Sequence, residues 1–219
     1  MAQFSTDTDL LKWEPVLFRD VALPSQTLCS GSDGVIAGTT LTSSGASFTD
    51  AGIAAGHVVY LSDSTCTIDG CYEVVSVDFS TALTVSVVRA SSDDDAIAPP
   101  SGSQLSYRIS TFDPQAQEAA YSLLHYFGLQ PSGASEGITV DEIQDQTVLR
   151  QASVFAVLSA IFAGSATSED DNMSFWQKSL RYQKLFQDAR VKIRLGIDTD
   201  NDDIAEQFRL GGTVRLRRL

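Results

Sequence analysis

The feature that most limits the fold is a change of texture along the chain. Between residues 25 and 110 the sequence is rich in Ser, Thr, Gly and Val, holds almost no basic residue and shows no helical periodicity. It breaks into β-type runs parted by turn signals, at 39–43, 57–62, 70–78, 82–88 and 105–109. The run LTVSV alternates with period two, which places Leu83, Val85 and Val87 on one face. Several short strands at this spacing predict a small antiparallel barrel or sandwich. The acidic stretch 91–100 reads as a solvated loop.

On either side the pattern turns helical. Asp9 is expected to cap a helix over 10–14 that Pro15 stops, with Leu10, Leu11, Trp13, Leu17 and Phe18 anchoring it on a core. Asp113, Pro114 and Gly128 delimit a helix over 114–127. A second helix is expected from about 140 to 163, with Val148, Ala152, Phe155, Ser159 and Phe162 on one face. A third, over 172–195, repeats Tyr182, Phe186, Ala189 and Ile193 at three-to-four spacing, and its Trp176 suits a core or a subunit interface. The predicted fold class is α+β: a helical-bundle framework with an inserted antiparallel β-barrel or sandwich module and an extended C-terminal tail. The expected division is 1–24 helical anchor, 25–110 β-module, 111–206 helical domain and 207–219 basic tail.

Charge separates the tail from the body. The chain carries −13 overall, yet residues 207–219 hold Arg209, Arg215, Arg217 and Arg218 with no acid. The body should therefore repel nucleic acid while the tail seeks acidic surfaces. Within the tail, TVRLRRL alternates Val214 and Leu216 against Arg215 and Arg217, behind a Gly211-Gly212 swivel. This pattern suits strand addition to a partner's sheet edge, with the arginines on an acidic rim. Pairing with the chain's own β-module, or disorder, is the competing reading.

Catalytic patterns fail on context. GASEG at 133–137 matches the G-x-S-x-G string, but no strand precedes it and no helix follows, and His57 and His125 are the only histidines available as a base. Asp198, Asp200 and Asp202 open like a calcium loop and form a candidate cation site. Asp203 then stands where glycine is expected, and Arg209 where a bidentate glutamate belongs. The acidic turn is expected to cap a short helix over 203–208. Cys29, Cys66 and Cys71 read as small apolar thiols, with approach of Cys66 and Cys71 across the turn at Asp69-Gly70 as the alternative. No enzyme activity and no cofactor are expected. The apolar stretch 152–164 is shorter than the roughly 20 residues of a membrane span, and no signal-peptide pattern opens the chain.

The strings LLKWEPVLF (10–18), FWQKSLRYQKLF (175–186), IRLGIDTDNDD (193–203) and VRLRR (214–218) together resemble the head-to-tail adaptor (connector, neck) proteins of tailed bacteriophages and gene-transfer agents. Such proteins often carry Gly in the Asp-rich turn where this chain has Asn201 and Asp203. The resemblance implies a virion protein of the neck, assembled in the host cytoplasm as a homo-oligomeric ring, typically of twelve. Its tail, with Arg209, Gly211, Gly212, Val214, Arg215, Leu216, Arg217 and Arg218, would insert into the portal protein. Tail or neck proteins would be further partners, the β-module would touch the capsid, and DNA would pass through the lumen without specific binding. The alternatives are a tail-completion or other neck protein, or a soluble binding module that grips its ligand with the β-region's Phe48, Tyr60, Tyr72, Phe79 and Tyr107.

Overall fold

A computed structural model describes residues 3–166 and 172–212. The chain forms two compact units: Thr6–Phe112, and Met1–Ser5 joined by Asp113–Leu219. The first unit is thus inserted in the sequence of the second. The division read from texture differs, because the N-terminal helices belong with the strands.

In the inserted unit, Thr6 caps α1 (Asp7–Trp13). Its hydroxyl accepts from the Asp9 amide while the Asp9 carboxylate accepts from the Thr6 amide at 3.0 Å. Asp9 is therefore the third helical residue of a capping box and not the cap. Leu10 and Leu11, with Leu17 and Phe18 of α2 (Leu17–Asp20), are buried as expected, whereas Trp13 is 45% exposed. Six strands follow: β1 (Thr27–Ala37), β2 (Thr40–Thr42), β3 (Val58–Ser62), β4 (Asp69–Phe79), β5 (Ala82–Ser86) and β6 (Gly102–Ser110). They close into an antiparallel barrel in the order β1-β2-β5-β4-β3-β6, which decides between barrel and sandwich. Closure removes the free edges of an open sheet.

The sequence TLCSGSDGVIA of β1 is dominated by Gly, Ser and Asp through its middle, with Thr27, Val35 and Ile36 only at its ends, and β1 was not foreseen. Its glycines explain why it forms. A Cβ on Gly31 would lie 2.6 Å from the Tyr107 ring, so glycine there lets the ring fold over the strand. The barrel fills with Ile36, Leu41, Phe48, Val59, Leu61, Leu83, Val85, Leu105 and Ile109, while Val87 falls beyond β5 and is exposed. Arg89 forms a buried ion pair with Glu73, and its guanidinium donates to the carbonyls of Ser92 (2.9 Å) and Asp94 (2.6 Å). The acidic loop is therefore tied to the barrel wall. Entry and exit of the insertion meet where the Phe112 amide donates to Asp7 at 2.9 Å.

The second unit holds α3 (Asp113–Phe127), α4 (Arg150–Ser165), α5 (Asn172–Lys192) and a hairpin of β7 (Arg194–Ile197) with β8 (Gln207–Leu210). The chain as a whole is α+β, as expected, and this unit combines three long helices with the hairpin. α3 ends at Gly128 with φ +66°, the left-handed conformation expected past a helix end. The helix expected from about 140 begins only at Arg150. Before it lie two 3-10 turns, Val140–Glu142 and Gln146–Leu149, and an extended link. In that link the Gln144 amide donates to Gly196, the Asp198 amide donates to Glu142, and Ile143 bridges Ile197. Pairing along β7 outweighs local helix propensity.

Phe4, Leu123, Leu124, Phe127, Leu149, Ala152, Leu195 and Ile197 share one core, with Phe186 and Ala189 packed against it. A second layer stacks Phe155, Tyr182, Phe162 and Phe175 at centroid distances of 5.7–6.1 Å. Ser159 and Ser179 exchange hydroxyl-to-carbonyl bonds at 3.1 and 2.9 Å, which draws α4 and α5 together. The segment Gln146–Ser165, at 20 residues and a mean hydropathy of 1.5, is long and apolar enough to cross a membrane. Here its side chains Val154, Phe155, Leu158, Ile161 and Phe162 are buried in the unit, as in a core helix of a globular fold.

Candidate functional site

Most of the residues singled out in the sequence fall at the C-terminal end of the second unit. α5 stops at Lys192, and β7 turns back through an acidic loop into β8. The register sets Arg194 opposite Leu210, Leu195 opposite Arg209 and Ile197 opposite Gln207. Gln207–Leu210 is thus strand, and the helix expected over 203–208 is absent. The β-type run QFRL finds a partner in RLGI, so hairpin pairing replaces local coiling. Arg209 accordingly belongs to a paired strand and is half-buried, not part of a free tail. Beside it, the Arg194 guanidinium lies 3.9 Å from the Phe208 ring centroid.

The loop between these strands is organised by Asp198. Its buried carboxylate accepts from the amides of Asn201 (2.6 Å), Asp202 (3.2 Å) and Asp203 (2.9 Å). Asn201 and Asp203 adopt φ +62° and +66°, the conformation for which Gly is the usual residue. Glu206 accepts from the Thr199 amide at 2.7 Å and closes the base of the loop. Asp198, Asp200 and Asp202 come together as the spacing suggested. Glu206 joins them, with one oxygen from each residue all lying within 4.8 Å of one another. The bonds to Asp198 account for its burial through the turn itself. Glu206, at the ninth loop position, was passed over because a calcium loop draws attention to the twelfth.

Beyond β8 the expected swivel divides into two unlike glycines. Gly211 is buried; its amide donates to the Ile193 carbonyl at 3.0 Å, and its carbonyl accepts a short hydrogen bond from the Tyr126 hydroxyl. A Cβ there would lie 2.9 Å from the carbonyl carbon of Arg190 and nearer still to its oxygen, so only glycine fits. The Arg190 guanidinium covers the Tyr126 ring at 4.5 Å and holds it in place. Gly212 is exposed. The tail root is therefore clamped at Gly211. Tyr126 and Arg190, which form the clamp from two different helices, carry no local sequence signal. Val214, Arg215, Leu216, Arg217 and Arg218 lie outside the described residues.

The remaining candidates separate. Ser135 sits in an exposed loop between Gly133 (φ +78°) and Gly137 (φ +86°), without the strand-turn-helix setting of a nucleophile elbow. Of the β-region aromatics, Phe48 and Tyr107 pack edge-to-face inside the barrel at 5.9 Å, and Phe79 is exposed at a hairpin tip. Ser43 donates to Asp33 at 2.6 Å, which commits its one hydrogen, so the Tyr107 hydroxyl donates to Ser43 at 3.0 Å. Bonds from Ser43, then the Gly45 amide, then Ser44 hold the Asp33 carboxyl down to about 2. Cys29, Cys66 and Cys71 are free thiols, and burial pushes Cys71 up to about 11. Comparison of the chain with protein-family models, with curated proteins and with solved structures returned no match.

Proposed function

We propose that the chain is a structural virion protein, a subunit of the ring-shaped head-to-tail adaptor of a tailed bacteriophage. It docks onto the portal through residues 213–219 and joins capsid to tail. The observation that carries this reading is the clamped root of a basic segment. β8 and Gly211 hold the root from which the segment follows in sequence, so less freedom is lost at that root when a partner is met. Its alternating Val214 and Leu216 suit addition to a sheet edge, and Arg215, Arg217 and Arg218 suit an acidic rim.

α3–α5 form the framework that packs side by side in a ring, typically of twelve, and the barrel contacts capsid or tail proteins. The acidic body lines a lumen through which DNA slides without specific binding. Assembly takes place in the host cytoplasm and the product resides in the virion neck. The chain performs no catalysis. A tail-completion or other neck protein is the nearest alternative. The binding-module reading is weakened because Phe48 and Tyr107 are spent on the barrel's own core. Co-expression with an affinity-tagged portal protein from the same genome tests the proposal. The full chain should be captured, and removal of 213–219 should reduce capture about ten-fold or more. Undiminished capture without the segment would sink it.

A further inference from the structure

The outward face of α5 carries an exposed apolar stripe near its start, where a solvated helix would be polar. Met173 is 74% exposed, Trp176 50% and Leu180 47%. Met173 and Leu180 lie on the side of the helix opposite Tyr182, which packs on α4. One flank of this stripe is basic, with exposed Arg181 and Lys184, and the other carries Gln183 and Gln187. Across the same unit, α3 and α4, with Phe186 of α5 at one end, border a groove of about 290 Å³. Pro114, Ala119, Ser122, Ala156 and Ala160 line it, with the exposed Glu118 also at its wall.

We propose that Trp176, with Met173 and Leu180 beside it, seats in the α3–α4 groove of a second copy of the chain, with Arg181 or Lys184 meeting Glu118. The proposal deepens the ring reading above and rests on it for closure of the ring. Charge selects the occupant. α5 holds five of the chain's 15 basic residues (Lys178, Arg181, Lys184, Arg190, Lys192) and, in Asp188, one of its 28 acidic ones. Two α5 helices face to face would repel, whereas the groove of another copy offers small apolar walls and an acid. One-sided basic flanking also fits a protein groove better than a lipid surface, where cations on both flanks would face headgroups. Knob and groove are different patches of one subunit, so the contact is head-to-tail and generates a ring when its rotation closes.

Sedimentation velocity on the full chain over rising concentration tests this, with two variants of exposed residues whose folding is checked by circular dichroism. Trp176→Ala removes the knob and Ala160→Trp fills the groove. Each alone should weaken self-association about thirty-fold or more. Mixed together, they should regain one-to-one dimers and stop there, because each retains one good half of the contact. A chain that stays monomeric at every concentration overturns the proposal. So does self-association that Ala160→Trp leaves untouched, and so does binding to anionic vesicles without self-association. Removing residues 213–219 should leave self-association intact, so failure of this contact and failure of portal docking are read separately.

Discussion

Gly211→Ala probes the clamp on which the docking proposal depends. The added methyl would stand 2.9 Å from the Arg190 carbonyl carbon and 3.1 Å from the Val191 Cα, all backbone of the last turn of α5. No side chain can swing aside, so the end of β8 must move. Movement of that size breaks the amide bond to Ile193 and the Tyr126 hydroxyl bond, each worth about 1 kcal/mol. Overpacking adds roughly 1–3 kcal/mol, and the lower chain entropy of alanine returns about 0.4–1. The net cost is about 2–4.5 kcal/mol. Gly212→Ala supplies the control, since its Cβ would make ordinary 3.4 Å contacts with Val191 and should cost within about 0.5 kcal/mol. In a Trp13→Phe background, Trp176 is the remaining tryptophan and reports on the second unit alone. Urea unfolding followed by its fluorescence should show the midpoint of Gly211→Ala lowered by roughly 1–2 M. Hydrogen exchange should show lost protection at the Gly211 amide. Equal midpoints for the two glycine variants, with that protection intact, would refute the clamp.

Other consequences are as direct. Arg89→Ala should cost about 3–5 kcal/mol in the barrel unit by leaving Glu73 buried without its partner, read as a lowered thermal midpoint; Arg89→Ala combined with Glu73→Leu should recover much of the loss. The Asp33 carboxyl should titrate near 2 by NMR. Because its folded-state value is depressed, its contribution is present above the ordinary value of 3.8 and is lost as pH falls through about 2, and Ser43→Ala should move the midpoint upward. Burial holds the Cys71 thiol near 11, so mass spectrometry after brief iodoacetamide treatment at pH 8 should find the exposed Cys66 alkylated well before Cys71.

Legibility in the sequence followed the range of the forces at work. β4 and β5 were readable from alternation, β2, β3 and β6 as short β-type runs between turn signals, and α3 because Asp113, Pro114 and Gly128 mark its ends. β1 was hidden, since a Gly- and Ser-rich run becomes a strand only when Tyr107 folds over Gly31. The late start of α4 and the strand at Gln207–Leu210 were missed for a common reason. Both are decided by pairing along β7, a tertiary event that leaves no local period. The three aspartates of the turn were visible from spacing, while Glu206 joined them only once the hairpin brought residue 206 back to Thr199. At the tail root, the glycine pair was visible but its division of labour was not. Gly211 is fixed by Tyr126 and Arg190 on two separate helices, and Gly212 by nothing comparable among the described residues.

We propose that residues 213–219, which follow the Gly211 clamp in the sequence, dock this chain as a ring onto a portal. Native mass spectrometry of the portal mixed with the full chain, and with the chain lacking 213–219, measures this directly. One complex should form, with a mass corresponding to a closed ring of this chain on the portal, and it should disappear on truncation. A portal that stays bare with the full chain, or a complex of unchanged mass and abundance with the truncated one, would contradict it.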